Sequence, residues 1–274
     1  MKGIIILGTA SDVGKSLLVT ALCRLLANEN IKVTPFKSQN LSPYTERLPN
    51  GEEVSRAQAI QALAANTTPS MYMNPIMLNI GKENHVDVRI LNEAFGEMEG
   101  FHYREQFYHK AIEAIHHSLE TLKKSYTTVV IEGAGSPAEV NLKARDIVNM
   151  KVAEIADVPA LLVADISKGG AIASIVGTLT LLEEAERKRV KGIIINQFHG
   201  EVERFQEGVD FIENYTGIPV LGVIPYKADH QIAEEDQPRG TNDETTIAAI
   251  DAWAQHVKPA LNWKKFMAII EGEN

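Results

Sequence analysis

The chain has 274 residues with 27 Lys+Arg against 36 Asp+Glu, a formal charge of −9, which argues against a binder of nucleic-acid backbone, since that needs a basic face. Apolar residues make up 45% and charged residues 23%, ordinary globular usage that excludes extended disorder. No apolar run approaches the ~20 residues of a membrane span, no secretory leader pattern is present, and the single cysteine, Cys23, excludes a disulfide framework, so a cytoplasmic protein without membrane contact is expected.

Strand-like runs alternate with amphipathic helical patterns. Residues 3–7 (GIIIL) are β-branched and apolar on both faces, as in a central parallel strand. They run into Gly8-Thr9-Ala10-Ser11-Asp12-Val13-Gly14-Lys15-Ser16, which opens a helical pattern at 15–28. A glycine-rich turn between strand and helix lets backbone N–H groups curl toward phosphate oxygens at the positive end of the helix dipole. Lys15 is placed to reach the β and γ phosphates of a nucleotide, and the Ser16 hydroxyl to bind Mg²⁺. Five residues separate Gly8 from Gly14, one more than in the common Gly-x-x-x-x-Gly-Lys-Ser/Thr spacing. The residues expected to hold the nucleotide are Thr9, Asp12, Val13, Gly14, Lys15, Ser16 and Leu17.

A second strand at 32–36 leads to Lys37, on the sheet edge that carries Lys15, where two lysines would neutralise charge on a transferred phosphoryl group. Residues 38–102 interrupt the alternation, with a helix expected at 53–65 and a possible extra strand at 85–91; an excursion of this length in a compact domain is more often functional than accidental. After a helical pattern at 103–124, the strand 127–131 runs into Glu132-Gly133-Ala134-Gly135-Ser136. A carboxylate at a strand end followed by glycines suits a Mg²⁺ ligand that a phosphate must approach closely.

Helices at 147–156, 171–186 and 202–215 alternate with strands at 160–164, 192–196 and 220–223. Asp165 ends one of these strands and is expected to cap a helix. Asn196 ends another, where its amide could read adenine. A polar loop at 227–244 and helices at 245–257 and 263–270 follow. The pattern is α/β: a doubly wound, mostly parallel sheet with helices on both faces, divided into residues 1–236 and a helical extension at 237–274 packed on the same domain. Its ligand is expected at the carboxyl ends of the strands. His109, His116 and His117 share a helix without acidic partners at metal-ligand spacing, Cys23 reads as core, and the 71–77 segment reads as packing.

Together, GTASDVGKS (8–16), PFKSQN (35–40), SRAQAIQA (55–62), MNPIML (73–78), IEGAGSPAEVNL (131–142), RDIVNM (145–150), VADISKGG (163–170), KGIIINQF (191–198) and GVIPY (222–226) make the chain resemble the nucleotide-binding half of cobyric acid synthases, in the dethiobiotin-synthetase-like group of P-loop enzymes. The resemblance runs to about residue 236. It implies an ATP- and Mg²⁺-dependent ligase of cobalamin biosynthesis that phosphorylates the b, d, e and g carboxylates of adenosylcobyrinic acid a,c-diamide, for ammonia to displace the phosphate. It places Lys15, Lys37 and Glu132 in catalysis, Ser16 and Glu132 on Mg²⁺, Asn196 and Pro225 at the adenine, and Gln39, Asn40 and Ser136 near the corrinoid. Arg56 and Gln58 stand near where dethiobiotin synthetases place a further metal-binding Asp, which favours the corrin branch.

Cobyric acid synthases carry a glutaminase domain with a Cys nucleophile. With Cys23 assigned to the core, ammonia is expected from a separate glutaminase subunit or domain, or from solution. Dimers are common in the group. Three other readings stay open from sequence: a non-catalytic nucleotide-binding regulatory subunit, a dethiobiotin synthetase, and a ParA/MinD-type switching ATPase. The last usually has a lysine early in the loop, where this chain has Thr9 and Ala10.

Overall fold

A computed structural model describes residues 1–41, 44–80, 86–97, 101–233 and 243–272. β1 (Lys2–Gly8) is followed by α1 (Lys15–Asn28) and β2 (Val33–Phe36). The excursion contains β3 (Gln39–Leu41), a hairpin of β4 (Thr45–Arg47) and β5 (Glu53–Ser55), then α2 (Arg56–Ala64), β6 (Ile76–Ile80), β7 (Val86–Ile90) and β8 (Glu93–Glu97). After α3 (Phe101–Leu122) the alternation resumes with β9 (Thr128–Glu132), α4 (Met150–Ala156), β10 (Ala160–Asp165), α5 (Ala171–Leu181), α6 (Glu184–Arg189), β11 (Val190–Phe198), α7 (Gln206–Thr216) and β12 (Val220–Pro225). Two helices follow, α8 (Asp243–Val257) and α9 (Trp263–Glu271).

Six strands form one parallel sheet in the order β12-β11-β10-β1-β9-β2. The strands are apolar on both faces because each face is covered. Ile5 and Leu7 point into one core with Ile115, Val152, Ile175 and Ile212, from α3, α4, α5 and α7. Ile4 and Ile6, alternating with them, point into a second core with Leu18, Leu22, Ile60, Trp253 and Phe266, from α1, α2, α8 and α9. All four β1 side chains are fully buried, and burial of each contributes on the order of 1.5–3 kcal/mol. The chain leaves β1 toward β2 on one side and later returns to build β10, β11 and β12 on the other. Its strand order therefore reverses at β1, and the crevice at that carboxyl edge is where such sheets take ligands.

The helices beyond β12 are tied to the same core. Arg24 on α1 makes paired contacts of 2.6 and 3.0 Å to Asp251 on α8. Trp253 Nε1 donates to the Leu17 carbonyl at 2.9 Å. Leu261 bridges Gly222 of β12, and Asn262 N donates to the Leu221 carbonyl at 2.7 Å.

Several element bounds differ from the sequence expectations. The helix expected at 53–65 begins at Arg56, because 53–55 pairs with 45–47 and the Ser55 hydroxyl caps the helix by accepting from Gln58 N. The helix expected at 171–186 is two: Leu182 is extended (ψ 142°), and Glu183 restarts the chain in a capping box with Glu186. The helix expected from 147 starts at Met150, after the Asp146 carboxylate accepts from the N–H groups of Val148, Asn149 and Lys151. The helix expected at 202–215 opens as a 3-10 turn over 202–205. The extra strand expected at 85–91 is β7, inside a four-stranded sheet ordered β3-β6-β7-β8. Residues 227–233 have no regular structure, and 234–242 of the expected loop lie outside the described residues. No helix among the described residues is long and apolar enough to cross a membrane.

Candidate active site

The turn after β1 is built for an anion. Thr9 N donates to the Val163 carbonyl of β10 at 2.9 Å, which anchors the turn at the strand edge. Asp12 and Gly14 both take positive φ, 58° and 88°, and Gly14 is the left-handed residue that starts α1. A side chain at Gly14 would be strained there and would also meet Asn196 Nδ2 at 2.2 Å. The first-turn N–H groups of α1, which a helix leaves without internal partners, open onto a cavity of about 520 Å³, within the range of small-ligand sites. Its walls are Ser11, Asp12 and Gly14 to Leu17 from the loop, Lys37 and Gln39 to Leu41 beyond β2, and Ala57, Ile60 and Gln61 from α2. Thr20 from α1, Glu132 to Gly135 at the end of β9, Gln197, Ile232 and Ala233 complete them.

Glu132 is the charged centre. Parallel pairing places it opposite Ile6, at the sheet edge beside the loop, with 2% exposure. Ser16 Oγ donates to Glu132 Oε1 at 2.7 Å, Lys37 Nζ approaches the same oxygen at 3.1 Å, and Gln61 Nε2 donates to Oε2 at 2.6 Å. Burial alone would push the Glu132 pKa up. The Lys37 charge and the hydrogen bonds from Ser16, Gln61 and Lys37 outweigh burial, so the pKa lies below the usual carboxylate value and Glu132 is ionised. Lys15 Nζ folds back to the carbonyls of Ala10 at 3.0 Å and Gly135 at 3.3 Å. The site thus sets two lysines, a hydroxyl and a carboxylate around one space.

A Mg²⁺ ion fits the donors present. It takes hard oxygen ligands, usually one or two carboxylates with phosphate and water completing the shell, and Ser16 Oγ and Glu132 supply an adjacent hydroxyl and carboxylate. Among the described residues, no group of three or more His, Cys, Asp or Glu gathers at metal-binding distance. The turn after Glu132 is held from behind: the Asn149 side chain accepts from Ala134 N at 3.1 Å and donates to the Ala134 carbonyl at 2.7 Å. A Cβ at Gly133 would lie 2.4 Å from Asn149 Oδ1, so only glycine permits this approach.

The other expected site residues divide. Asp12, Gly14, Leu17, Gln39 and Asn40 line the cavity with Lys15, Ser16, Lys37 and Glu132; Thr9, Val13, Ser136, Asn196 and Pro225 do not. Asn196, expected at the adenine, is buried and donates Nδ2 to the Val13 carbonyl at 2.8 Å, so in this structure it supports the loop. Pro225 ends β12 opposite Phe198, and its carbonyl meets His256 Nε2 at 2.9 Å. Ser136 Oγ accepts from Ala138 N at 3.2 Å within its own turn. Asn40 is buried in the wall, and its Nδ2 has no hydrogen-bond partner among the described residues. Asp165 does not cap α5, which starts from Gly170; its carboxylate accepts from Ser167 N at 2.7 Å. Cys23 is fully buried, and burial pushes its thiol pKa up. Sequence reasoning missed Gln61, Asn74, Asn149 and Gln197. Gln61 was findable, since Ser55, Gln58 and Gln61 recur every three residues and share one face of a helix.

An AAA domain family profile matches residues 2–233. The cobyric acid synthase of Geobacillus kaustophilus is 49% identical over 229 residues, covering 84% of this chain and 46% of that protein. The cobyric acid synthase of Desulforamulus reducens is 48% identical over 235 residues, covering 86% and 46%. The chain thus spans about half the length of the curated relatives it matches. Among solved structures, the signal recognition particle receptor FtsY from Elizabethkingia anophelis in complex with GDP has a TM-score of 0.50 at 13% identity, over 91% of this chain and 63% of that one. That likeness is one of fold, the P-loop NTPase arrangement.

Proposed function

Since this chain belongs to the AAA domain family and is related over 84% of its length to cobyric acid synthases, we propose that it is an ATP-dependent carbon–nitrogen ligase of cobalamin biosynthesis, activating the carboxylates of a corrinoid for amidation. The observation that carries this reading is the convergence of Ser16, Lys37 and Gln61 on Glu132 beside Lys15.

The triphosphate lies along the 8–16 turn, its oxygens on the exposed N–H groups of the turn and of α1. Lys15 leaves the Ala10 and Gly135 carbonyls for the β and γ phosphate oxygens. Ser16 and Glu132 hold Mg²⁺, which, when bound, neutralises charge on the transferred group. Lys37 faces the same group from β2 and stabilises charge that builds up during transfer.

A carboxylate oxygen of the acceptor attacks the γ phosphorus, and the bond from that phosphorus to the bridging oxygen breaks, releasing ADP. Ammonia then adds to the acyl carbon. Phosphate leaves with the electron pair of the C–O bond and takes up the surplus proton of the nitrogen, giving the carboxamide. Gln39 and Asn40 sit where they can hold the acceptor carboxylate, and the Asn40 amide N–H groups are donors awaiting a partner. Ser136, at the rim, faces the bulk of the corrinoid. Ammonia comes from a glutaminase subunit or domain, or from solution; the buried Cys23 thiol takes no part. Asn196 and Pro225 support the nucleotide from the β11–β12 side.

The test follows an oxygen atom. With heavy oxygen in the acceptor carboxylates, an acyl phosphate intermediate carries one labelled oxygen per amidation into the released phosphate. Amidation must release one carboxylate oxygen by any route, so label recovered in AMP or in water, with none in phosphate, contradicts the reading.

A further inference from the structure

A closed ring of six residues backs the catalytic carboxylate, and three of them, Ser55, Gln58 and Asn74, lie outside the cavity lining. Gln61 Nε2 donates to Glu132 Oε2 at 2.6 Å, Gln58 Nε2 donates to Gln61 Oε1 at 2.5 Å, and the Ser55 hydroxyl donates to Gln58 Oε1 at 3.3 Å. Ser55 N donates to Asn74 Oδ1 at 3.3 Å, and Asn74 Nδ2 donates to the Lys37 carbonyl at 3.0 Å. Lys37 Nζ returns to Glu132 Oε1 at 3.1 Å. None of the six residues is more than 7% exposed.

The ring has a direction. A buried glutamine can turn its amide end over end, and only its neighbours decide which end points where. Gln61 presents its N–H₂ to Glu132 because its oxygen is held by Gln58. Gln58 is fixed in turn because its oxygen receives the Ser55 hydroxyl, while Ser55 is set as the cap of α2. One oxygen of Glu132 is thereby pinned, leaving the other toward Ser16 and the cavity.

We propose that Gln58 and Gln61 are positioning residues that set the orientation of Glu132 for metal binding, and that Ser55 fixes their polarity. Gln58 does not line the cavity, so its influence passes only along this chain of amides. The inference rests on the reading of Glu132 as a Mg²⁺ carboxylate.

The experiment measures Mn²⁺ affinity by electron paramagnetic resonance in the full chain with a non-hydrolysable ATP analogue. Affinity for the analogue without metal and the melting temperature are measured alongside. Gln58→Met removes both polar ends at nearly unchanged size and is expected to weaken Mn²⁺ binding roughly ten- to hundredfold, as loss of outer contacts to metal ligands does, with metal-free nucleotide affinity unchanged. Ser55→Ala, a milder change should Gln58→Met not fold, is expected to show the same split at smaller size. Ser55→Thr, which keeps the hydroxyl, restores wild-type Mn²⁺ affinity. Unchanged Mn²⁺ affinity in the folded variants, or metal and metal-free nucleotide affinities falling in proportion, overturns the inference. A wild-type nucleotide complex that takes no Mn²⁺ overturns the metal reading itself, and the inference with it.

Discussion

Ser16 Oγ and Glu132 Oε1 stand 2.7 Å apart across 116 positions of sequence. The contact exists because β1 and β9 pair in parallel with Ile6 opposite Glu132, so the turn that starts α1 and the carboxylate that ends β9 leave the sheet at the same edge. Lys37 reaches the same oxygen from β2, the next strand along.

Lys15 folds onto the carbonyls of Ala10 and Gly135, contacts that the proposed function has it give up for a phosphate. Lys15→Ala is expected to lower turnover by about 10²–10³, the usual effect of removing one donor to developing charge, with the far-ultraviolet circular dichroism spectrum unchanged. Turnover within a factor of about 3 of wild type, a difference of under 1 kcal/mol in barrier, contradicts the role given to the loop.

Glu132→Gln keeps the shape of the side chain and removes the charge that the buried Lys37 Nζ meets at 3.1 Å. The cost expected from urea unfolding is about 3–5 kcal/mol, typical of breaking a buried ion pair from one side. The Lys37→Met, Glu132→Gln double variant is expected to recover part of that loss. In assays, Glu132→Gln is expected to raise the Mg²⁺ concentration needed for half-maximal rate more than it raises the KM for ATP.

The same pair sets a pH dependence. The Glu132 carboxyl is held below its ordinary 4.5, so the unfolded chain takes up its proton at higher pH than the folded one. Its contribution to stability is therefore fully present above about pH 4.5 and lost as the pH falls through the lower, folded-state value. The difference in urea midpoint between wild type and Glu132→Gln is expected to be constant near neutrality and to shrink below pH 4.5. A constant difference across that range contradicts the assignment.

Asn196→Leu removes the donor to the Val13 carbonyl and orphans a group at the base of the loop. Leaving a buried acceptor unsatisfied costs about 1–3 kcal/mol, and nucleotide affinity is expected to fall with it. Because the amide holds the loop, the loss is expected to be equal for ATP and GTP in equilibrium binding. A loss confined to ATP indicates that Asn196 reads the base.

Legibility from sequence followed the range of the interactions. The 8–16 loop is local, so its glycines and Lys15-Ser16 announce it within nine residues. Glu132 was legible for a similar reason, since a β-branched run ending in an acid and glycines describes a strand edge. The Gln61 and Asn74 contacts were not, because they depend on how the excursion folds back: β3 pairs with β6, Ser55 caps α2, and only then do the amides face Glu132. The break between α5 and α6 was missed because the apolar spacing of a helix continues through Leu182, while the Glu183–Glu186 capping box restarts the chain. Asn196 was read by residue type at a strand end, where the side chain's direction decides between base and loop.

The central claim is that this cleft couples ATP cleavage to amidation of a corrinoid carboxylate, and the direct measurement is ADP release with and without adenosylcobyrinic acid a,c-diamide in the presence of ammonium. Release is expected to require both the corrinoid and ammonium, to yield amidated product in proportion, and to fall by about 10²–10³ in Lys15→Ala. ADP release indifferent to the corrinoid, or absent with it while the chain binds ATP, contradicts the account.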